Sequence, residues 1–258
     1  MLVVLFRLKA SQWCSLSFWT LLVAGMLVTT PVLSSVRGSA IEMADSYLNI
    51  PYRDDGAINL KGEWVRFASP QVDIASPGLN CSGFIVDFAR SVFQRKISLL
   101  EASHDRLSDS GVGARLGQDW DFGRDLILNI TQGREPLVVM PRGVKVKNWF
   151  DGLPLRGFNL HDEALVKDVL GQLESKMMYF VSISKPWRKK KGYRLIHYHV
   201  GVILVSDEGA FFYHTTRLSK THKYNLRSKA GLAQFAYQFR PSQYGDKHML
   251  VIGVKDPL

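Results

Sequence analysis

Basic residues Arg7 and Lys9 precede an apolar run from Leu16 to Val28 that continues more weakly to Val36. Small residues follow at Ser34, Ser35, Gly38, Ser39 and Ala40, and no acid falls within the first forty residues. This is the order of a secretory signal. Thr29, Thr30 and Pro31 interrupt the run, leaving it short of the ~20 residues a membrane span needs. We therefore expect residues 1–40 to act as a signal peptide; left uncleaved, residues 16–36 would anchor the chain at a membrane. Val23-Ala24-Gly25-Met26 has Met where a lipidated cysteine would stand, so no lipid anchor is expected.

Beyond residue 40 the apolar spacing alternates between two periods. Ile41, Ala44 and Leu48 suit a short helix over 41–48, and Trp64–Phe67 reads as a strand. Phe84, Ile85, Phe88, Ala89 and Val92 form the stripe of a helix over 81–93, with Asn80 as its N-cap. Residues 103–136 are rich in Gly, Asp and Ser around the anchors Trp120, Phe122, Leu126 and Leu128; Leu137–Met140 follows as a strand. Leu165, Val169 and Leu173 predict a helix over Asp162–Lys176. Met177–Ile183, Tyr193–Val205, Phe211–Thr215, Phe235–Phe239 and Met249–Val254 are strand-like. Helices mainly first and closely spaced strands mainly last predict an α+β fold with antiparallel pairing. There is no GxGxxG or Walker-type loop, and so no support for nucleotide chemistry.

Composition narrows the picture. The 258 residues are 46% hydrophobic, which excludes a disordered chain. Lys+Arg number 33 against 23 Asp+Glu, a net charge of +10. Without residues 1–40 the count is 30 against 23, a surplus of +7. Such a balance points to an anionic partner, and export favours an envelope polymer over nucleic acid. The stretch Lys185-Pro186-Trp187-Arg188-Lys189-Lys190-Lys191-Gly192-Tyr193-Arg194 reads either as a grip on that polymer or as a solvated loop. The two cysteines, Cys14 and Cys81, exclude a disulfide framework and an all-cysteine zinc site. With Cys14 in the signal, one thiol is left.

That thiol starts a helix. Backbone N–H groups and the positive end of the helix dipole would lower its pKa, and Ser82-Gly83 would leave the approach to sulfur open. Equally, Cys81 could be the last core residue of the stripe. A nucleophile needs a base. In a strand, His199, Gly201, Ile203 and Val205 share one face. A turn at Ser206-Asp207-Glu208-Gly209 would pair Val205 with Ala210 and set His214 opposite Gly201, diagonal to His199. Gly201 would leave room for a side chain or substrate. This arrangement suits a base and its orienting partner, and it also suits two half-buried histidines satisfied by backbone. A third arrangement, His197, His199 and His214 as a zinc set, lacks a carboxylate partner, and no metal is expected.

Ala44-Asp45-Ser46-Tyr47-Leu48-Asn49-Ile50-Pro51-Tyr52-Arg53, Leu79-Asn80-Cys81-Ser82-Gly83-Phe84-Ile85 and His199-Val200-Gly201-Val202-Ile203-Leu204 resemble, in order, the three blocks of NlpC-type cysteine peptidases. Phe211-Phe212-Tyr213-His214 is similar to the strand bearing that family's third catalytic residue. The resemblance implies a papain-like α+β domain over 41–258, its nucleophile helix packed on an antiparallel sheet. It further implies Cys81 as nucleophile, His199 as base and His214 as orienter, with Tyr52, Asn80 and Ser82 bordering the substrate.

The implied activity is an exported thiol hydrolase of the bacterial periplasm or cell envelope. It would cleave an amide in peptidoglycan stem peptides, often next to D-glutamate, through a thioacyl-enzyme and without a cofactor. The amide of Cys81, with Tyr52 as second donor, would hold the oxyanion. Three departures stand out. Asn80 replaces the usual Asp, Asp54-Asp55-Gly56 replaces Trp-Gly-Gly, and residues 101–180 read as an insertion that shapes the cleft and lacks a Pro-Gly-Asp block. Competing readings are a thiol acyl hydrolase or acyltransferase acting on a lipid or protein, and a non-catalytic envelope-binding module.

Overall fold

The computed structural model describes residues 39–106, 120–144, 157–189, 192–217, 220–255 and 257, which belong to one compact unit, Arg37–Leu258. Most of the expected signal, parts of 101–180, and the tip and several side chains of the basic stretch lie outside the described residues. No helix among the described residues is long and apolar enough to cross a membrane.

The elements run α1 (Ala40–Asp45), β1 (Gly56–Ile58), β2 (Trp64–Arg66), β3 (Ser69–Asp73), α2 (Cys81–Phe93), α3 (Leu99–Ala102) and α4 (Phe122–Ile130). They continue with β4 (Leu137–Val139), β5 (Phe158–Asn159), α5 (Glu163–Leu170), β6 (Met177–Lys189), β7 (Gly192–Ser206), β8 (Gly209–Thr215), β9 (Thr221–Asn225), α6 (Lys229–Gln238) and β10 (His248–Lys255). A small sheet is ordered β1-β2-β3; the main sheet runs β4-β10-β6-β7-β8-β9, with β5 also on β10. Every pairing between these strands is antiparallel, so the fold is α+β as expected.

Two hydrophobic layers sandwich the main sheet. On one face α2 and α4 pack Phe84, Phe88, Leu126 and Ile127 onto Phe180, Val200, Val202, Leu204 and Tyr213. On the other, α5 and α6 pack Val166, Val169, Phe235 and Phe239 onto Val181, Ile183, Ile203, Val205 and Phe212. Burial on both faces explains why β7 reads as an unbroken apolar run from Val200 to Val205 rather than an alternation.

Most expected elements form. The helix at 81–93 has the expected bounds, and Asn80 Oδ1 accepts from Gly83 N–H at 2.6 Å. The helix expected over Asp162–Lys176 ends early at Gly171, after Asp162 caps its start. Phe235–Phe239, expected as a strand, lies in α6 and its C-cap: Ser228 caps that helix, and the two phenylalanines, four apart, fall on one buried stripe. A five-residue apolar segment fits either period, and the cap decides it. The loop-like composition of 103–136 hides α4, because Gly123, Asp125 and Asn129 are buried inside it rather than breaking it. Residues 101–180 add strands beside β10 and helices on both layers.

Candidate active site

Strand β1 sets the start of α2. Asn80 N–H donates to Gly56 O at 2.9 Å, and a Cβ on Gly83 would collide with Gly56 O and lie 2.9 Å from the Ala57 Cα. Gly83 therefore admits the crossing of β1 rather than opening a path to sulfur, which corrects that expectation, and Ser82 is buried. Tyr52 reaches the same end of α2 because residues 51–53 bridge Leu79: Leu79 N–H donates to Pro51 O and Arg53 N–H to Leu79 O. In the turn that follows, Asp55 has φ of 58° and accepts from Ala68 N–H. Aspartate is among the few non-glycine residues at ease in that left-handed region.

Strands β7 and β8 supply the histidines. Val205 pairs with Ala210 as expected, and the register continues to Val202 opposite Tyr213, one step short of Gly201 and His214. His199 Nε2 lies 2.9 Å from His214 Nδ1. His214 is fully buried, stacked on Phe212 (centroids 5.0 Å apart) and close to Tyr224 and Phe239. The space over Gly201 holds the Phe212 ring, 2.5 Å from where a Cβ would stand, and so serves a side chain rather than substrate.

His197 does not join them. Against β6, Ile183 opposes His199 while Ser184 opposes His197, so Tyr198 is an extra residue in β7. This bulge turns His197 to the opposite face, where Ser182 Oγ meets its Nδ1 at 2.9 Å and Trp120 packs nearby. The three-histidine zinc arrangement is thereby ruled out.

A cleft of about 550 Å³ is lined by Tyr52, Cys81, Tyr198, His199 and Phe239, together with Lys185, Thr215, Thr216, Arg217, Gln238 and Lys247. Cys81, His199 and Tyr52 thus share one cavity, with His214 directly behind His199. Asn80 and Ser82 flank the cysteine in sequence without lining the cleft: one caps the helix, the other is in the core. None of the described residues of 101–180 lines it, contrary to expectation. Arg217, Gln238 and Lys247 escaped the sequence reading. Each lies far along the chain from Cys81 and carries no local pattern, and only Lys185 fell in a stretch marked by charge.

The electrostatics differ from the sequence expectation. Burial pushes the Cys81 thiol up, outweighing the Val200 amide and the Ser82 groups that favour thiolate. Burial, with Lys247 nearby, pushes His199 down to about 3. Burial, His199 and His222 hold His214 well below the ordinary histidine range. The resting site is thus a neutral thiol beside neutral imidazoles. Tyr52 donates to Asp54 Oδ1 at 2.6 Å, and Arg217 bridges the pair at 3.3 and 3.1 Å. Burial and Asp54 raise Tyr52 to about 12. Its proton is committed to a carboxylate, not pointed at an oxyanion position.

No protein-family profile and no curated protein matches the sequence. Two solved structures are similar to it, both of an N-acetylmuramoyl-L-alanine amidase from Bacteroides uniformis ATCC 8492. One, at 13% identity and a TM-score of 0.44, matches 84% of this chain and 98% of the other. The second, also at 13% identity, has a TM-score of 0.42 over 84% and 99%.

Proposed function

We propose that the chain is an exported, papain-like cysteine amidase of the bacterial cell envelope that cleaves an amide in peptidoglycan stem peptides, with Cys81, His199 and His214 as its catalytic set. The observation that carries this reading is a helix-start cysteine sharing a cleft with a histidine whose far nitrogen is held, 2.9 Å away, by a second histidine. The reading extends to residues 1–40 as the export signal and to wall polymer as partner, in keeping with the +7 surplus.

The tautomers follow from the proton balance. For His199 to take the Cys81 proton at Nδ1, that atom must be bare, so its Nε2–H donates to His214 Nδ1. His214 then carries its own proton on Nε2. Proton transfer from Cys81 to His199 accompanies attack of sulfur on the substrate carbonyl, and the imidazolium returns that proton to the leaving amine. Water, deprotonated by the same His199, hydrolyses the thioester and releases the acid. The Cys81 amide is the available oxyanion donor; Tyr52 joins it only if Asp54 gives up its hydrogen bond.

The test is digestion of purified peptidoglycan by the protein and its Cys81→Ala variant, with fragments identified by mass. The fragments should include any cleavage between N-acetylmuramic acid and L-alanine as well as within the stem peptide. A Cys81-dependent amide cleavage supports the reading; its absence, with polymer binding retained, would favour an envelope-binding module.

A further inference from the structure

A cavity of about 750 Å³, larger than the Cys81 cleft, is lined by α5, α6 and the loops beside them. The two hollows share no lining residue. Both helices cover the same face of the main sheet. Leu160, Val166, Leu170 and Leu226, all buried, line the cavity, with half-buried Leu232 beside them. Helices that pack closely fill the space between them with interdigitated side chains. Here α6 contributes only the exposed Ala233 and Ala236 beyond Leu232, so an apolar trough stays open. Its volume falls within the ~300–1,000 Å³ usual for small-molecule sites.

The polar part of the lining is lopsided in charge. Lys167, Arg227 and Lys229 stand against one acid, Glu163. Lys167 holds that carboxylate at 2.5 Å, and Lys229 adds to the pull on it. Arg227 enters no ion pair among the described residues; its guanidinium donates to the carbonyls of Leu170 and Leu173, which fixes it in place. Arg227 and Lys229 flank Ser228, the N-cap of α6, so the positive end of that helix dipole adds to their charge. His161, also in the lining, keeps a buried Nε2 without a hydrogen-bond partner among the described residues, an uncommon state for a polar atom. These features are ordered along α6. The cations mark its start, and Ala233 and Ala236 follow one and two turns later, roughly 10 Å from Lys229 to Ala236. An anionic head followed by an apolar tail matches that order. The chain's own N-terminal apolar segment does not, since it brings Arg7, Lys9 and Arg37 and no acid.

We propose that the α5–α6 cavity binds a single-chain lipid with an anionic headgroup, the head at Arg227 and Lys229 and the tail along Ala233 and Ala236. The site is independent of the chemistry at Cys81. Each methylene of the tail that leaves water along the trough tightens binding by roughly threefold to fourfold, and a charge-assisted hydrogen bond to the head adds about tenfold.

The test is titration calorimetry at pH 7.5 with decanoate, octanoate, decanol and decylammonium, each below its micelle concentration. Decanoate is expected to bind about tenfold more tightly than decanol and about tenfold more tightly than octanoate, with decylammonium weakest. Lys229→Gln should erase most of the preference over decanol, and Lys229→Arg should keep it. Ala233→Leu with Ala236→Leu fills the trough at two exposed helical positions where leucine is well tolerated, and should weaken decanoate at least about tenfold. Gln234→Leu adds similar bulk to an exposed position of the same helix outside the cavity and should change nothing. Decanol binding as tightly as decanoate, no measurable binding of either, or binding that survives the filled trough overturns the proposal. So does binding lost in Cys81→Ala, which would move the lipid to the other cleft. Sedimentation velocity adds a further way to fail: a dimer dissolved by Ala233→Leu with Ala236→Leu but not by decanoate would assign this face to a second copy of the chain.

Discussion

A thiol held neutral at rest behaves differently from the thiolate–imidazolium pair common in cysteine hydrolases, and alkylation separates the two. An unperturbed thiol of pKa ~8.5 is about 3% ionised at pH 7, whereas an ion-paired cysteine with pKa near 4 is essentially fully ionised. Cys81 is raised above its ordinary value by burial, so its thiolate fraction at pH 7 lies below that ~3% and at least roughly thirtyfold below the ion-paired case. His199, held neutral down to about 3, supplies no positive charge to the sulfur in this range. The rate of iodoacetamide modification should therefore climb about tenfold per pH unit from pH 6 to 8 without a plateau, since the thiolate is the reactive form. The assay follows the Cys81 peptide by mass spectrometry, which keeps Cys14 out of the signal. His199→Ala should change the rate at pH 7 by less than about threefold, because a neutral imidazole contributes little to thiolate formation. A rate already level below pH 7, lost on removing His199, would show an ion pair at rest and refute the electrostatic reading.

Other consequences concern the frame around the site. His197 is buried with its pKa pushed down to about 3, chiefly by burial and also by Arg124, so the unfolded chain takes up its proton first as pH falls. Its contribution to stability is full above about pH 6.5 and is lost progressively toward 3; by pH 5 the loss is roughly 2 kcal/mol. In urea unfolding at pH 7.5 and pH 5, His197→Gln should show about that much less acid destabilisation than the parent; an identical difference in both would contradict the assignment. Asn80→Ala removes the hydrogen bond to Gly83 N–H and should cost about 1 kcal/mol, seen as a Tm lower by a few degrees, while Asn80→Asp should keep the cap. Gly201→Ala places a methyl against the Phe212 ring and 2.7 Å from Tyr213 O. That ring is wedged between His214, Phe235 and Phe239, so roughly 1–3 kcal/mol of stability should go, with activity falling alongside; an unchanged Tm would show that the ring can yield.

What the sequence determined by itself is local. The cap at Asn80 and the stripe from Phe84 to Val92 place Cys81 at a helix start, because capping and a 3.6-residue period act within a few residues. The turn before Gly209 sets the β7–β8 register, and that register brings His199 and His214 to bonding distance. Tertiary structure decided the rest. The bulge at Tyr198 arises in the pairing of β7 with β6 and divides His197 from His199, although an HxH spacing alone puts both on one face. Phe235 and Phe239 went to a helix because α6 covers the second face of the sheet. The ionisation of Cys81 also turned on depth: the N–H groups at a helix start favour thiolate, but burial, which depends on every element packed around the cleft, outweighs them. Lys185 and Lys247, far apart in the chain, line one cleft because β10, which follows Lys247, pairs with β6, and no local spacing could have brought them together.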